Sequence, residues 1–126
     1  MATNEGILRI DLNSNKIQLL EVAEGINATV IDGLAIHENY LIGHQSSKIS
    51  KFYLNGDFSE ITHMEVFDTG DEFDSSTTGE IGGIFYHYIV NSLIRSGVNQ
   101  AEKVIIPLDS LEQVIIRKKK IKIKYA

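Results

Sequence analysis

The sequence predicts an all-β chain built from repeated four-stranded antiparallel units, and three observations carry that prediction. Residues 30–68 divide into four short β-type runs separated by turn residues. No window there places apolar residues at i, i+3, i+4 and i+7 for two turns, the pattern a helix needs to bury one face. The pieces also recur: Gly6-Ile7-Leu8-Arg9-Ile10-Asp11-Leu12-Asn13 matches Lys48-Ile49-Ser50-Lys51-Phe52-Tyr53-Leu54-Asn55, an offset of 42 residues.

Taken in order, residues 1–5 carry no apolar stretch of signal-peptide type, and no run approaches the length of a membrane span, so a soluble chain is expected. Residues 16–22 mirror 60–66 as an outer strand, and residues 25–29 form a crossing loop into the next innermost strand. Residues 31–36 have apolar side chains on both parities, which predicts burial on both faces. Tyr40-Leu41-Ile42-Gly43 follows after the polar break His37-Glu38-Asn39, and Ser46-Ser47 turns the chain into residues 49–54. Asn55-Gly56-Asp57 is the strongest turn signal, because Asn-Gly readily takes positive φ. Residues 61–67 alternate as a fourth strand. Thr78-Gly79-Glu80-Ile81 then repeats Asp32-Gly33-Leu34-Ala35 at an offset of 46, and Tyr88-Ile89-Val90-Asn91-Ser92 repeats Leu41-Ile42-Gly43-His44-Gln45 one residue further on. Residues 104–108 and 113–123 supply two last strands, with Pro107 marking an edge or a strand end because it cannot donate to a ladder.

A four-stranded repeat of this length is about the size of one β-propeller blade. The expected architecture is therefore a partial propeller of about two and a half blades: residues 1–25 a half blade, 26–70 a full blade and 71–126 the last. A closed propeller has about four to eight blades. Three outcomes are open: a fragment of a longer protein, a ring closed by self-association of copies, or a stand-alone sheet that borrows the repeat. A half ring would expose the face near residues 6–12 and the edge near 121–125.

The 126 residues suffice for one domain that buries on the order of two thirds of its unfolded surface. A net charge of −5 argues against nucleic acid as a partner. The absence of cysteine removes disulfides, thiolate metal sites and a cysteine nucleophile. No Gly-rich phosphate loop, Ser-nucleophile elbow or His-Glu-x-x-His motif is present.

Chemistry is expected where strand starts and strand ends meet. The first and second strands of a blade run antiparallel, which gathers Asp32, Thr77 and Thr78 beside His44, Gln45, Asn91 and Ser92 at one mouth of the channel. Oxygen donors such as Asp32 and Asn91 suit Ca²⁺ or Mg²⁺, whereas His44 suits a transition metal such as Zn²⁺ or Mn²⁺, or serves as a general base. Each has a plainer reading. Asp before Gly commonly bonds its own backbone in a turn, Asn91 and Ser92 can cap a strand end, and His44 can be an ordinary hydrogen-bonded side chain.

Asp68, Asp71, Glu72 and Asp74 lie close together but lack EF-hand spacing, and read as a solvated acidic loop. Arg117-Lys118-Lys119-Lys120 precedes Ile121-Lys122-Ile123-Lys124, whose alternation reads as a half-exposed edge strand guarded by lysines rather than a lipid or nucleic-acid patch. His37, His63 and His87 have no spacing that makes a metal pair.

Asp32-Gly33-Leu34-Ala35-Ile36, Tyr40-Leu41-Ile42-Gly43 and Lys48-Ile49-Ser50-Lys51-Phe52 resemble the later blades of six-bladed propellers of the SMP-30/gluconolactonase-like superfamily, with Thr77-Thr78-Gly79 and Ile89-Val90-Asn91-Ser92 resembling the next blade. The resemblance implies a divalent metal at the channel mouth that activates water to open a lactone. Asp32 is the one position that falls on a metal ligand of that family; its other ligands come from earlier blades. Two functions follow as expectations: part of a metal-dependent lactonase-type hydrolase, inactive on its own, or a non-catalytic propeller segment that binds a small molecule or protein.

Overall fold

The computed structural model describes residues 1–73, 76–91 and 115–121. These residues form eleven strands and no helix. The strands are β1 (Ala2–Thr3), β2 (Gly6–Ile10), β3 (Ile17–Leu19), β4 (Glu21–Val22), β5 (Gly33–His37), β6 (Tyr40–Gln45), β7 (Lys48–Leu54), β8 (Glu60–Thr69), β9 (Gly79–Gly82), β10 (Phe85–Ile89) and β11 (Ile116–Lys120). They build three sheets. The first is the meander β1-β2-β3, the second is β5-β6-β7-β8 with β4 added at its outer edge, and the third is β9-β10-β11. The fold is all-β, and every ladder is antiparallel except the short parallel pairing of β4 with β8.

Turn chemistry sets the registers. Glu38, Ser46 and Gly83 each take positive φ at the first position of a two-residue turn, as tight hairpins between right-twisted strands require. The Asn55-Gly56-Asp57 signal also ends a strand, but by a different device. Asn55 Oδ1 accepts the N–H groups of Ser59 at 2.9 Å and Glu60 at 3.0 Å. The left-handed conformation falls on Phe58 rather than on Gly56.

The second sheet is the centre of the molecule, and β6 is buried along its whole length. The two-faced burial expected of residues 31–36 belongs to this neighbouring strand; β5 itself is partly exposed. One face of the second sheet joins Leu41, Phe52, Leu54 and Ile61 to Ile7 and Leu20 of the first unit. The other joins Tyr40, Ile42, Ile49 and Phe67 to Tyr86, Tyr88 and Ile121 of the third.

The hairpins show how the sheets repeat. Closing pair His37↔Tyr40 corresponds to Gly82↔Phe85, an offset of 45 between second strands. On that alignment Tyr86, Tyr88 and Ile121 take the places of Leu41, Gly43 and Leu54. The third sheet thus turns toward the second the same face that the second turns toward the first. Likewise Thr3↔Gly6 corresponds to Gln45↔Lys48 at the predicted offset of 42, so Ala2 and Ile7 take the places of His44 and Ile49. The stacking is head to tail throughout.

Two expectations change. The offset of 46 that set Gly79 against Gly33 is one residue too long: Thr78 corresponds to Gly33, and its carbonyl accepts the N–H of Ile89 at 3.1 Å. Ile89, not Asn91, therefore stands where His44 stands. Of the last strand expected over residues 113–123, the described part is β11, an edge strand among the described residues, with Ile121 buried beyond it. The strand expected at 104–108, with Pro107, and the alternation at residues 122–124 lie outside the described residues, as does the edge at 122–125.

Candidate functional site

Among the described channel-mouth residues, Asp32 and His44 meet through a backbone bond, while Gln45 and Asn91 bond other partners. Asp32 precedes β5 with an exposed side chain, and its N–H donates to the His44 carbonyl at 3.0 Å. Among the described residues no three His, Asp or Glu side chains come together as a metal cage. A hard divalent cation needs several oxygen ligands, so the described residues around Asp32 do not by themselves fit one.

His44 lies at the end of β6 and is fully buried. Its Nδ1 is 2.8 Å from Ser76 Oγ and its Nε2 is 2.6 Å from the Tyr86 hydroxyl. Ser76 Oγ donates its proton to the Ile89 carbonyl at 2.6 Å, so it must accept from His44 Nδ1–H. Nε2 is then the acceptor and Tyr86 donates to it. One directed chain runs from Tyr86 through His44 and Ser76 to the backbone of β10. Burial lowers the His44 pKa to about 4 against the opposing pull of Asp32, and burial pushes Tyr86 up to about 12. Both groups are neutral near pH 7. The imidazole bridges two sheets; its ring nitrogens have no capacity left for a substrate proton.

Gln45 is likewise occupied. Its Nε2 donates to the carbonyls of Asn27 at 3.0 Å and Thr29 at 3.1 Å, while Oε1 accepts from Ser50 Oγ at 3.0 Å. It pins the crossing loop to β6. The side chains of Thr77 and Thr78 are exposed. The Thr77 carbonyl oxygen crowds Gly33 so closely that a Cβ there would sit 2.1 Å from it. Buried Asn91 accepts the N–H of Ile115 at 2.9 Å through Oδ1, joining the end of β10 to the start of β11. Ser92 lies outside the described residues.

Two clusters escaped the sequence reading. The ammonium of buried Lys51 lies 4.3 Å from the centre of the Tyr40 ring, 5.6 Å from Phe67 and 3.9 Å from Glu65 Oε1. At the corresponding positions of the third sheet, Lys118 Nζ lies 4.7 Å from the Phe85 ring. The cation–aromatic pair repeats with the sheets. In the second cluster, Arg117 donates to Asp68 at 2.7 Å and also to Glu72, while the Tyr88 hydroxyl donates to Asp68. Burial raises the Asp68 pKa, but the bonds from Tyr88 and Arg117 outweigh it and hold the carboxyl below its ordinary value. The acidic run is therefore not simply a solvated loop. Asp68 and Glu72 are held by Arg117, Asp71 is exposed, and Asp74 lies outside the described residues. The alternation of Tyr86 and Tyr88 in Phe85-Tyr86-His87-Tyr88-Ile89 was the available signal for a buried aromatic face.

Comparison with known proteins finds no matching family model, no matching curated protein and no matching solved structure. No helix among the described residues is long and apolar enough to cross a membrane.

Proposed function

We propose that this chain is a β-propeller segment that acts as a non-catalytic structural module, completing a ring with further sheets and carrying no hydrolytic centre of its own. The head-to-tail use of equivalent faces by three successive sheets is the observation that carries this reading. Propeller blades stack in that sense, each covering the next, whereas a two-sheet sandwich would close after one interface. The resemblance to SMP-30/gluconolactonase-like propellers enters this proposal for the fold alone. A lactonase role would need a metal cage that the neighbours of Asp32 do not supply, and a free base where His44 is fully engaged.

Among the described residues the stack leaves an apolar face uncovered. Leu8 is paired with Leu19 and Ile10 with Ile17, so all four point away from the second sheet. Ile10, Ile17 and Leu19 are exposed. Phe52 and Met64, the counterparts of Ile10 and Ile17 in the second sheet, belong to the cluster shared with the first unit. The partner expected here is another sheet, in an added segment or a second copy. Sedimentation velocity over a wide concentration range is the test. Concentration-dependent association that Ile17→Lys suppresses supports the reading; a non-associating monomer at high concentration, with this face open to dye, overturns it. Lactone hydrolysis that needs Ca²⁺, Mg²⁺, Mn²⁺ or Zn²⁺ and disappears in Asp32→Ala would return the assignment to the hydrolase class.

A further inference from the structure

A second apolar opening lies between the first and second sheets, on the opposite side of the first sheet from the face described above. It is a groove of about 390 Å³ lined by Met1, Ile7, Leu34, Ile36 and Leu41 among others. Ile36 belongs to the innermost strand of the central sheet, yet it is 60 % exposed. β1 borders the groove and pairs only with β2 among the described residues. By antiparallel alternation the Ala2 amide points to its free edge.

The molecule itself displays what covers such a groove. At the offset of 42, Met1 takes the place of Gly43 and Ala2 that of His44. In the second sheet the space before Gly43 is filled by β5 and the first half of β6. There Tyr40, Ile42 and Ala35 pack with Ile81 and Tyr86 of the next sheet. Ile36 and Leu41 are the counterparts of Ile81 and Tyr86. Among the described residues the first interface therefore offers the same receiving residues without the hairpin that covers them in the second.

We infer that the groove is a docking site for an antiparallel β-hairpin, which adds to the free edge of β1 and lays alternate apolar or aromatic side chains over Ile36 and Leu41. Main-chain bonds to β1 supply attachment and the groove supplies side-chain selectivity, the two components of recognition by strand addition. This inference rests on the propeller reading, but it concerns other residues than the face carrying Ile10 and Ile17.

The chain can be given its own hairpin as a probe. A copy of residues 33–42 fused directly before Met1 places each added residue at its repeat position. The extended protein is expected to melt about 5 °C or more above the original. It should bind less anilinonaphthalene dye, and the Ala2 amide should become protected from hydrogen exchange. The same extension with Ala35→Ser, Tyr40→Ser and Ile42→Ser in the copy should do none of these. If the two extensions behave alike, the hairpin assignment is wrong. Self-association of the unextended chain that Ile36→Asp abolishes would overturn it in favour of a second copy. Association abolished only by Ile17→Lys, with the extension inert, would remove this inference and leave the ring reading standing.

Discussion

Nε2 of His44 lies 2.6 Å from the Tyr86 hydroxyl, and this bond crosses between β6 and β10, strands of two sheets that share no ladder. Both side chains are buried, so removal of either partner strands the other without water. Tyr86→Phe is expected to cost about 1–3 kcal/mol, the penalty of an unsatisfied buried acceptor. Urea unfolding reads it as a lower midpoint at unchanged slope.

The same histidine predicts a pH dependence. Its pKa is about 4 in the folded protein against an ordinary 6.5. As pH falls below 6.5 the unfolded chain takes up a proton that the folded state refuses. The stabilisation is thus complete above the ordinary value and is lost between 6.5 and about 4, approaching about 3 kcal/mol in full. Urea midpoints measured from pH 7 to pH 4 should fall for the natural sequence and fall less for His44→Gln. Parallel profiles would assign the slope to another group.

Gly33 meets the next unit with no room to spare. A Cβ would stand 2.1 Å from the Thr77 carbonyl oxygen, while nothing lies within 4 Å of one built on Gly56. Gly33→Ala is expected to cost about 3 kcal/mol, since backbone rather than a pliant side chain must yield. Gly56→Ala should stay within about 0.5 kcal/mol. Thermal melts of the two variants side by side make the comparison, and equal losses would mean the sheets are not seated at Gly33.

The repeated cation–aromatic pair offers a measure of what covering a face is worth. Lys51 over Tyr40 is buried beneath the third sheet, whereas Lys118 over Phe85 is exposed on its outer side. A double-mutant cycle with Lys51→Ala and Tyr40→Leu should give a coupling of about 2 kcal/mol, against about 0.5–1 kcal/mol for Lys118→Ala with Phe85→Leu. If added sheets cover the third, the second coupling should grow toward the first.

Strand identity was legible because it depends on period and on turn residues, both local. The match of residues 6–13 to 48–55 carried through to the ladders, since Thr3↔Gly6 and Gln45↔Lys48 close equivalent turns. The match of Gly79 to Gly33 failed by one position. Both glycines are crowded by neighbouring atoms, so the shared residue type reflects separate packing demands. The second-strand match, set at an offset of 47 where the ladders give 45, failed by two, which is why Asn91 was set in the place of His44 while Ile89 holds it. The partners of His44 were out of reach for another reason. Ser76 and Tyr86 come 32 and 42 residues later, and no local pattern announces a contact made by stacking sheets. Arg117 reaches back 49 residues to Asp68, turning what reads as a solvated acidic loop into a fastened corner.

The short β4 strand has a kinetic consequence. Its parallel pairing joins Glu21 to Glu60 and Val22 to Ile61, with all of β5, β6 and β7 intervening in the chain. The hairpins of the central sheet can zip from their turns, each step closing a small loop. The β4 pairing has no such nucleus and needs β8 in place before it has anything to grip. The amino-terminal hairpin should therefore dock late in folding and detach early under denaturant, with protection at Glu21 and Ala23, whose amides bond Ser59 and Ile61, as its clock.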